Sequence, residues 1–189
     1  MSFNLSIYVI CGGFNSPILT TNFFHHLMTI NNKINFNNTV IFQLDRSAPL
    51  RDRTSNILPY DGYNIYQSLR KKYQNLSLYN LTFIAFSAGV IGAIMAGNIW
   101  AKNGGKVNKL FAFDGWGMPL ISDFPCYRIS HDYLTHLSYL GGEKNAFYCY
   151  PSVSHQQLWQ YPQNLQGWWQ IELGIKRKSN LSDFLLSHL

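Results

Sequence analysis

The chain has 189 residues, 47% of them apolar and 13% charged, a composition that fits one compact globular domain rather than a disordered chain. Its formal net charge of +6 comes from scattered basic residues. The two runs, Arg70-Lys71-Lys72 and Lys176-Arg177-Lys178, read as solvated surface, so no nucleic-acid partner is expected.

No apolar run reaches the length of about 18 residues that a membrane span needs, and no basic region precedes the first apolar run, which stops at Gly12-Gly13. The expectation is a soluble, cytoplasmic protein without a signal peptide. Cys11, Cys126 and Cys149 make an odd set with no CxxC pair or His-rich metal spacing, so no metal or other cofactor is expected. Cys11 and Cys149 lie in apolar runs and read as reduced core residues.

In chain order, the first strand is Leu5–Cys11. A helix follows over 17–31, with Phe23, Phe24, Leu27 and Met28 as its buried side and His25-His26 at its surface. The second strand is Thr39–Leu44, introduced by the asparagine turns Asn31-Asn32 and Asn37-Asn38. A polar loop over 45–60 leads to a helix over 61–75, the third strand Leu81–Phe86 and a helix over 88–102. The fourth strand is Val107–Phe113. After it, 115–130 begins as loop, part of 119–140 is helical, and Ala146–Tyr150 is the fifth strand. Continuous apolar runs of this length suit strands covered on both faces, and their alternation with helices predicts an α/β fold. The expected architecture is one domain over 1–189, a mostly parallel sheet of about five strands flanked by helices. In the strand order 2-1-3-4-5, strands 1 and 3 would be neighbours at the switch point, where open α/β sheets bind ligands.

The most informative stretch is LTFIAFSAGVIGAIMAG, residues 81–97, where a buried strand runs directly into a helix rich in small residues. Ser87 sits at the join. Ala85-Phe86-Ser87-Ala88-Gly89 is close to the G-x-S-x-G nucleophile elbow, whose sharp turn demands small neighbours. The alternative is a serine that only caps the helix. A serine nucleophile needs a base, and the base an orienting acid. Asp114 follows the fourth strand at once, and His155 follows the fifth, giving the chain order Ser87, Asp114, His155. Alternatively, Asp114 organises a glycine turn and His155 is a solvent-facing loop residue. His131, in Ser130-His131-Asp132, is the rival base and reads as structural or lid-forming; Asp45 and Asp132 are rival acids. Cys11-Gly12-Gly13-Phe14-Asn15 can supply oxyanion donors, the N–H groups of Gly13 or Phe14 together with that of Ala88. Neither a dinucleotide nor a phosphate-loop glycine motif is present.

These motifs resemble those of the α/β-hydrolase superfamily, specifically small hydrolase-like proteins found in cyanobacteria. The resemblance runs from Tyr8–Asn15 through Ala85–Gly89 and Phe113–Gly117 to His155. It implies a serine nucleophile, an ester or thioester substrate and no cofactor. The chain departs from the wider pattern at Ala85, at Cys11 in the place of a histidine, and in an acid that follows the strand next after the nucleophile strand. The expected partner is a small-molecule acyl ester or thioester. Acyl transfer and a non-catalytic binding module are the alternatives. Without a long insertion a large lid is not expected, and Trp116, Trp159, Trp168 and Trp169 are candidates for lining an open site.

Overall fold

The structure, a computed structural model, describes residues 5–44, 57–115, 118–138, 145–172 and 174–189. In chain order the strands are β1 Leu5–Cys11, β2 Thr39–Phe42, β3 Tyr79–Phe86, β4 Lys106–Phe113, β5 Cys126–Ser130, β6 Ala146–Cys149, β7 Gln166–Glu172 and β8 Ile175–Asn180. The α-helices are α1 Pro17–Ile30, α2 Gly62–Lys72, α3 Gly89–Lys102, α4 Tyr133–Leu137, α5 His155–Gln160 and α6 Leu181–His188.

All eight strands of the described residues join one mixed sheet in the order β2-β1-β3-β4-β5-β6-β7-β8. Pairing is parallel from β2 to β6 and antiparallel from β6 through β7 to β8. The α/β expectation stands, but the count of about five strands is corrected to eight. The predicted order is observed for the first four strands. The expected fifth strand is β6, displaced one place outward by β5.

That missing strand lies where a helix was expected within 119–140, and the helix there shrinks to Tyr133–Leu137. Cys-Tyr-Arg-Ile-Ser carries a basic residue in its middle, so it lacks the apolar run that marks a covered strand. Arg128 is nevertheless buried. The β7–β8 hairpin escapes the same criterion because β8 is a charged edge strand, largely exposed along Ile175–Lys178. Lys176 and Lys178 lie over Trp168, and Arg177 lies over Trp169, which blunts an edge that would otherwise template pairing.

Alternation along the parallel strands splits the core into two layers. Tyr8 and Ile10 of β1, Ile84 and Phe86 of β3, and Phe111 and Phe113 of β4 pack with Phe23 and Leu27 of α1, Trp159 of α5 and Phe184 of α6. Val9 and Cys11, Phe83 and Ala85, and Leu110 and Ala112 face the other way, against Ile65 and Leu69 of α2 and Ala93 and Trp100 of α3. Phe23, Phe24 and Leu27 are buried as expected from α1, His25 is exposed, and Cys11 and Cys149 are buried free thiols. Among the described residues no helix is long and apolar enough to cross a membrane.

Candidate active site

Six adjacent parallel strands end at one edge of the sheet, and each sequence-predicted site residue among those described follows one of them. Because β1 pairs with β3, and β3 with β4, the ends of these strands lie side by side: Cys11 is in register with Ala85, and Phe86 with Phe113. Backbone hydrogen bonds carry the pairing past the strands, from Ser87 N–H to Phe113 O at 2.8 Å and from Asp114 N–H to Ile129 O at 2.9 Å.

Ser87 adopts φ +54°, in the left-handed region that L-residues other than Asn and Asp enter at a cost. Such strain is held only where the surroundings over-determine it. The helix begins after the serine: Ala88 is the N-cap of α3, at φ −58°, with no side-chain hydrogen bond. A capping serine would sit in the extended region and bond the first helical turn, so capping does not account for Ser87. The small residues around it are required by contact. A Cβ on Gly89 would collide with the carbonyls of Cys11 and Gly12.

Asp114 is also left-handed, at φ +47°, and its side chain is fully buried. A buried carboxylate must be hydrogen-bonded. Its Oδ1 accepts the backbone N–H of His131 at 2.9 Å. Its Oδ2 lies 2.8 Å from Nδ1 of His155 and 2.8 Å from Nδ1 of His131. An ionised carboxylate only accepts, so each imidazole donates Nδ1–H to it, the arrangement that places the lone pair of a neutral ring on Nε2. This set of partners replaces the reading of Asp114 as a plain turn residue. His155 opens the short helix α5, fixed by a capping box between Ser154 and Gln157. Its ring lies 4.7 Å from that of Phe86, the residue before Ser87, and Phe86 stacks in turn on Trp159.

On the other side of the serine stands the Gly12-Gly13 loop. A Cβ on Gly13 would lie 2.9 Å from both Ser87 Cβ and Phe86 O, so this backbone approaches the serine as only glycine can. Phe14 is exposed and faces the ring of Tyr60. Gln43 and Thr20, two residues that carry no site motif in the sequence, support this loop. Gln43 donates from Nε2 to the carbonyls of Gly13, at 3.2 Å, and Asn15, at 2.8 Å, while its Oε1 accepts from the Thr20 hydroxyl. Trp159 donates to the same hydroxyl, linking the loop to α5. The available signal was a glutamine inside the apolar run TVIFQL.

His131, expected to be structural or lid-forming, is thus bonded to Asp114 through both backbone and ring. Its Nε2 lies 3.5 Å from Oδ2 of Asp132, which caps α4 by accepting the Thr135 N–H. Burial pushes the Asp132 carboxyl up, but the Thr135 hydrogen bonds and the charge of His131 more than offset it, leaving it below its ordinary value. Burial, with the charges of Asp114 and Asp132, pushes the Cys149 thiol up to about 12, and burial raises Cys11 as well. Neither thiol is an effective nucleophile at neutral pH. Trp159 is a fully buried core residue rather than a groove lining, and Trp169 is buried in β7. Asp45, Trp116 and Gly117 lie outside the described residues.

Among the described residues, Asp114, His131 and His155 each offer an atom that could ligate a metal, all within 4.8 Å of one another. Chemically, the edge combines a strained serine, a glycine backbone against it and imidazoles anchored to one buried carboxylate. No protein-family model and no curated protein matches the chain.

Proposed function

We propose that the protein is a serine hydrolase that cleaves a small carboxylic ester or thioester through an acyl-enzyme. Ser87 is the nucleophile, His155 its base and Asp114 the acid that orients the base. The N–H groups of Gly13 or Phe14, with that of Ala88, bind the oxyanion. His155 takes the Ser87 proton as the serine attacks, gives it to the leaving group, and then activates water to release the acyl group. Asp114 holds Nδ1–H, so the lone pair on Nε2 is the one available for the serine.

One observation carries this reading: a fully buried carboxylate anchors an imidazole whose ring rests on Phe86, one residue before a left-handed serine at a strand-to-helix turn. A turn aspartate or a solvent-facing loop histidine would not need that arrangement. The three unpaired cysteines are in keeping with a reducing, cytoplasmic setting.

The test is release of product from acyl esters and thioesters of graded chain length, by wild type and by Ser87→Ala. Alanine shares the serine's steric cost at positive φ, so the variant keeps its fold, checked by circular dichroism. Turnover by wild type that falls to background in the variant supports the proposal. Equal turnover by both, or none by wild type on either substrate class, contradicts it. Added alcohols or amines that capture the acyl group ahead of water would redirect the reading to acyl transfer.

A further inference from the structure

A triad needs one imidazole on its carboxylate, and Asp114 carries two on the same oxygen. The geometry points to a second use of this cluster: Nδ1 of His131, Nδ1 of His155 and the Asp114 carboxylate form a site for a divalent transition ion of the zinc class, and its occupation switches the hydrolase off. The inhibitory half rests on the function proposed above; the binding half does not.

The donor set is the first ground. Two imidazole nitrogens and one carboxylate oxygen, within 4.8 Å of one another, are the ligands zinc takes at about 2.0–2.2 Å while keeping a further position for solvent. Preassembly is the second. The ligands follow three neighbouring strands, β4, β5 and β6. Their loops are tied by His131 N–H to Asp114 Oδ1 at 2.9 Å and Val153 N–H to His131 O at 3.1 Å. The third ground is access. The two histidine side chains are 22% and 28% exposed over a carboxylate that is 0% exposed, so an ion enters past two adjustable rings and meets the charge at the bottom.

The fourth ground is the far side of His131, where Asp132 Oδ2 lies 3.5 Å from Nε2. With an ion on Nδ1, the ring proton sits on Nε2 and points at Asp132, the outer-shell partner a metal-bound histidine takes. The buried Cys149 thiol is not among the groups within ligating distance of this cluster.

The consequence for His155 follows from proton bookkeeping. Binding breaks Nδ1–H and forms Nδ1–metal and Nε2–H, with no net loss of a proton from the neutral ring. Nε2 then has no lone pair to receive the Ser87 proton. An ion here blocks the base instead of assisting it.

The experiment uses untagged full-length protein freed of metal with a chelator. Binding of Co²⁺ is followed by its visible absorption, in wild type and in Ser87→Ala, with Zn²⁺ competing. One ion per chain should bind in both, and binding should weaken at least tenfold in both His131→Ala and His131→Gln, each checked for folding. Zn²⁺ should lower wild-type ester turnover at least tenfold, reversibly with chelator. The His131 variants, each compared with its own metal-free rate, should lose that sensitivity. No Co²⁺ or Zn²⁺ binding by wild type, or binding undiminished in both folded variants, overturns the site. Zn²⁺ that binds there but leaves turnover unchanged or raises it overturns the inhibition. If the protein binds Co²⁺ yet never turns over an ester, the hydrolase reading fails and the site stands.

Discussion

The loops that follow β5 and β6 deliver an imidazole to the same carboxylate oxygen at the same 2.8 Å, yet they are built to different ends. The β5 loop binds Asp114 twice, through the His131 backbone N–H and ring, and turns the far nitrogen of that ring toward Asp132. The β6 loop binds Asp114 once, through its ring, and lays that ring on Phe86 beside the serine. Distance to the acid therefore does not separate the two rings. What separates them is their surroundings: His131 Nε2 lies 3.5 Å from Asp132, whereas the His155 ring lies on Phe86, the residue before Ser87.

Removing each ring in turn should separate the two loops most strongly. His155→Ala should lower kcat by roughly 10³- to 10⁴-fold or more, as loss of a triad base does. His131→Ala should keep measurable turnover, within about tenfold of wild type, because the acid keeps its bond to His155. Steady-state kinetics on one ester decides it, and the reverse ranking would hand the role of base to the β5 loop. Removing what the two loops share comes next. Asp114→Asn should cost roughly 10³- to 10⁴-fold in kcat with little change in KM, since the amide favours the wrong imidazole tautomer. Asparagine tolerates the left-handed backbone at φ +47°, so the melting temperature should change far less than the rate. A variant that melts much lower but turns over normally would make Asp114 structural and move the search to Asp132.

A change outside both loops provides the control. Gly13→Ala would bring a Cβ to 2.9 Å from Ser87 Cβ. Turnover should drop about a hundredfold through the displaced oxyanion backbone. Its fold should be retained, as circular dichroism would show. Turnover equal to that of wild type would take the glycine loop out of the mechanism.

The smallest effect belongs to Asp132. Asp132→Ala should lower stability by about 1 kcal/mol through loss of the α4 cap while leaving most turnover. Because the folded carboxyl lies below its ordinary 3.8, its contribution is complete above that value and is lost as pH falls through the folded one. The melting-temperature gap to wild type should therefore close in strong acid. A gap that widened there would contradict the sign.

How much was legible follows from the same chemistry. β1 is read at its observed bounds, and β3 and β4 within two residues, because strands covered on both faces are unbroken apolar runs. The switch point then brings Gly13 and Ser87 together by topology. β5 is short and carries Arg128 in its middle, so a histidine after it could not be assigned to the sheet edge, and His131 was separated from Asp114. The β7–β8 hairpin is hidden by its charged edge. Gln43 was visible as a polar residue in an apolar run, but its partners, the carbonyls of Gly13 and Asn15, depend on tertiary placement.

Whether Ser87 is an activated nucleophile is read by mass-spectrometric mapping of a fluorophosphonate adduct on the purified protein. One adduct should form, on Ser87, absent in Ser87→Ala and formed much more slowly in His155→Ala than in His131→Ala. A folded protein that takes no label, or takes it at another residue, would contradict that role.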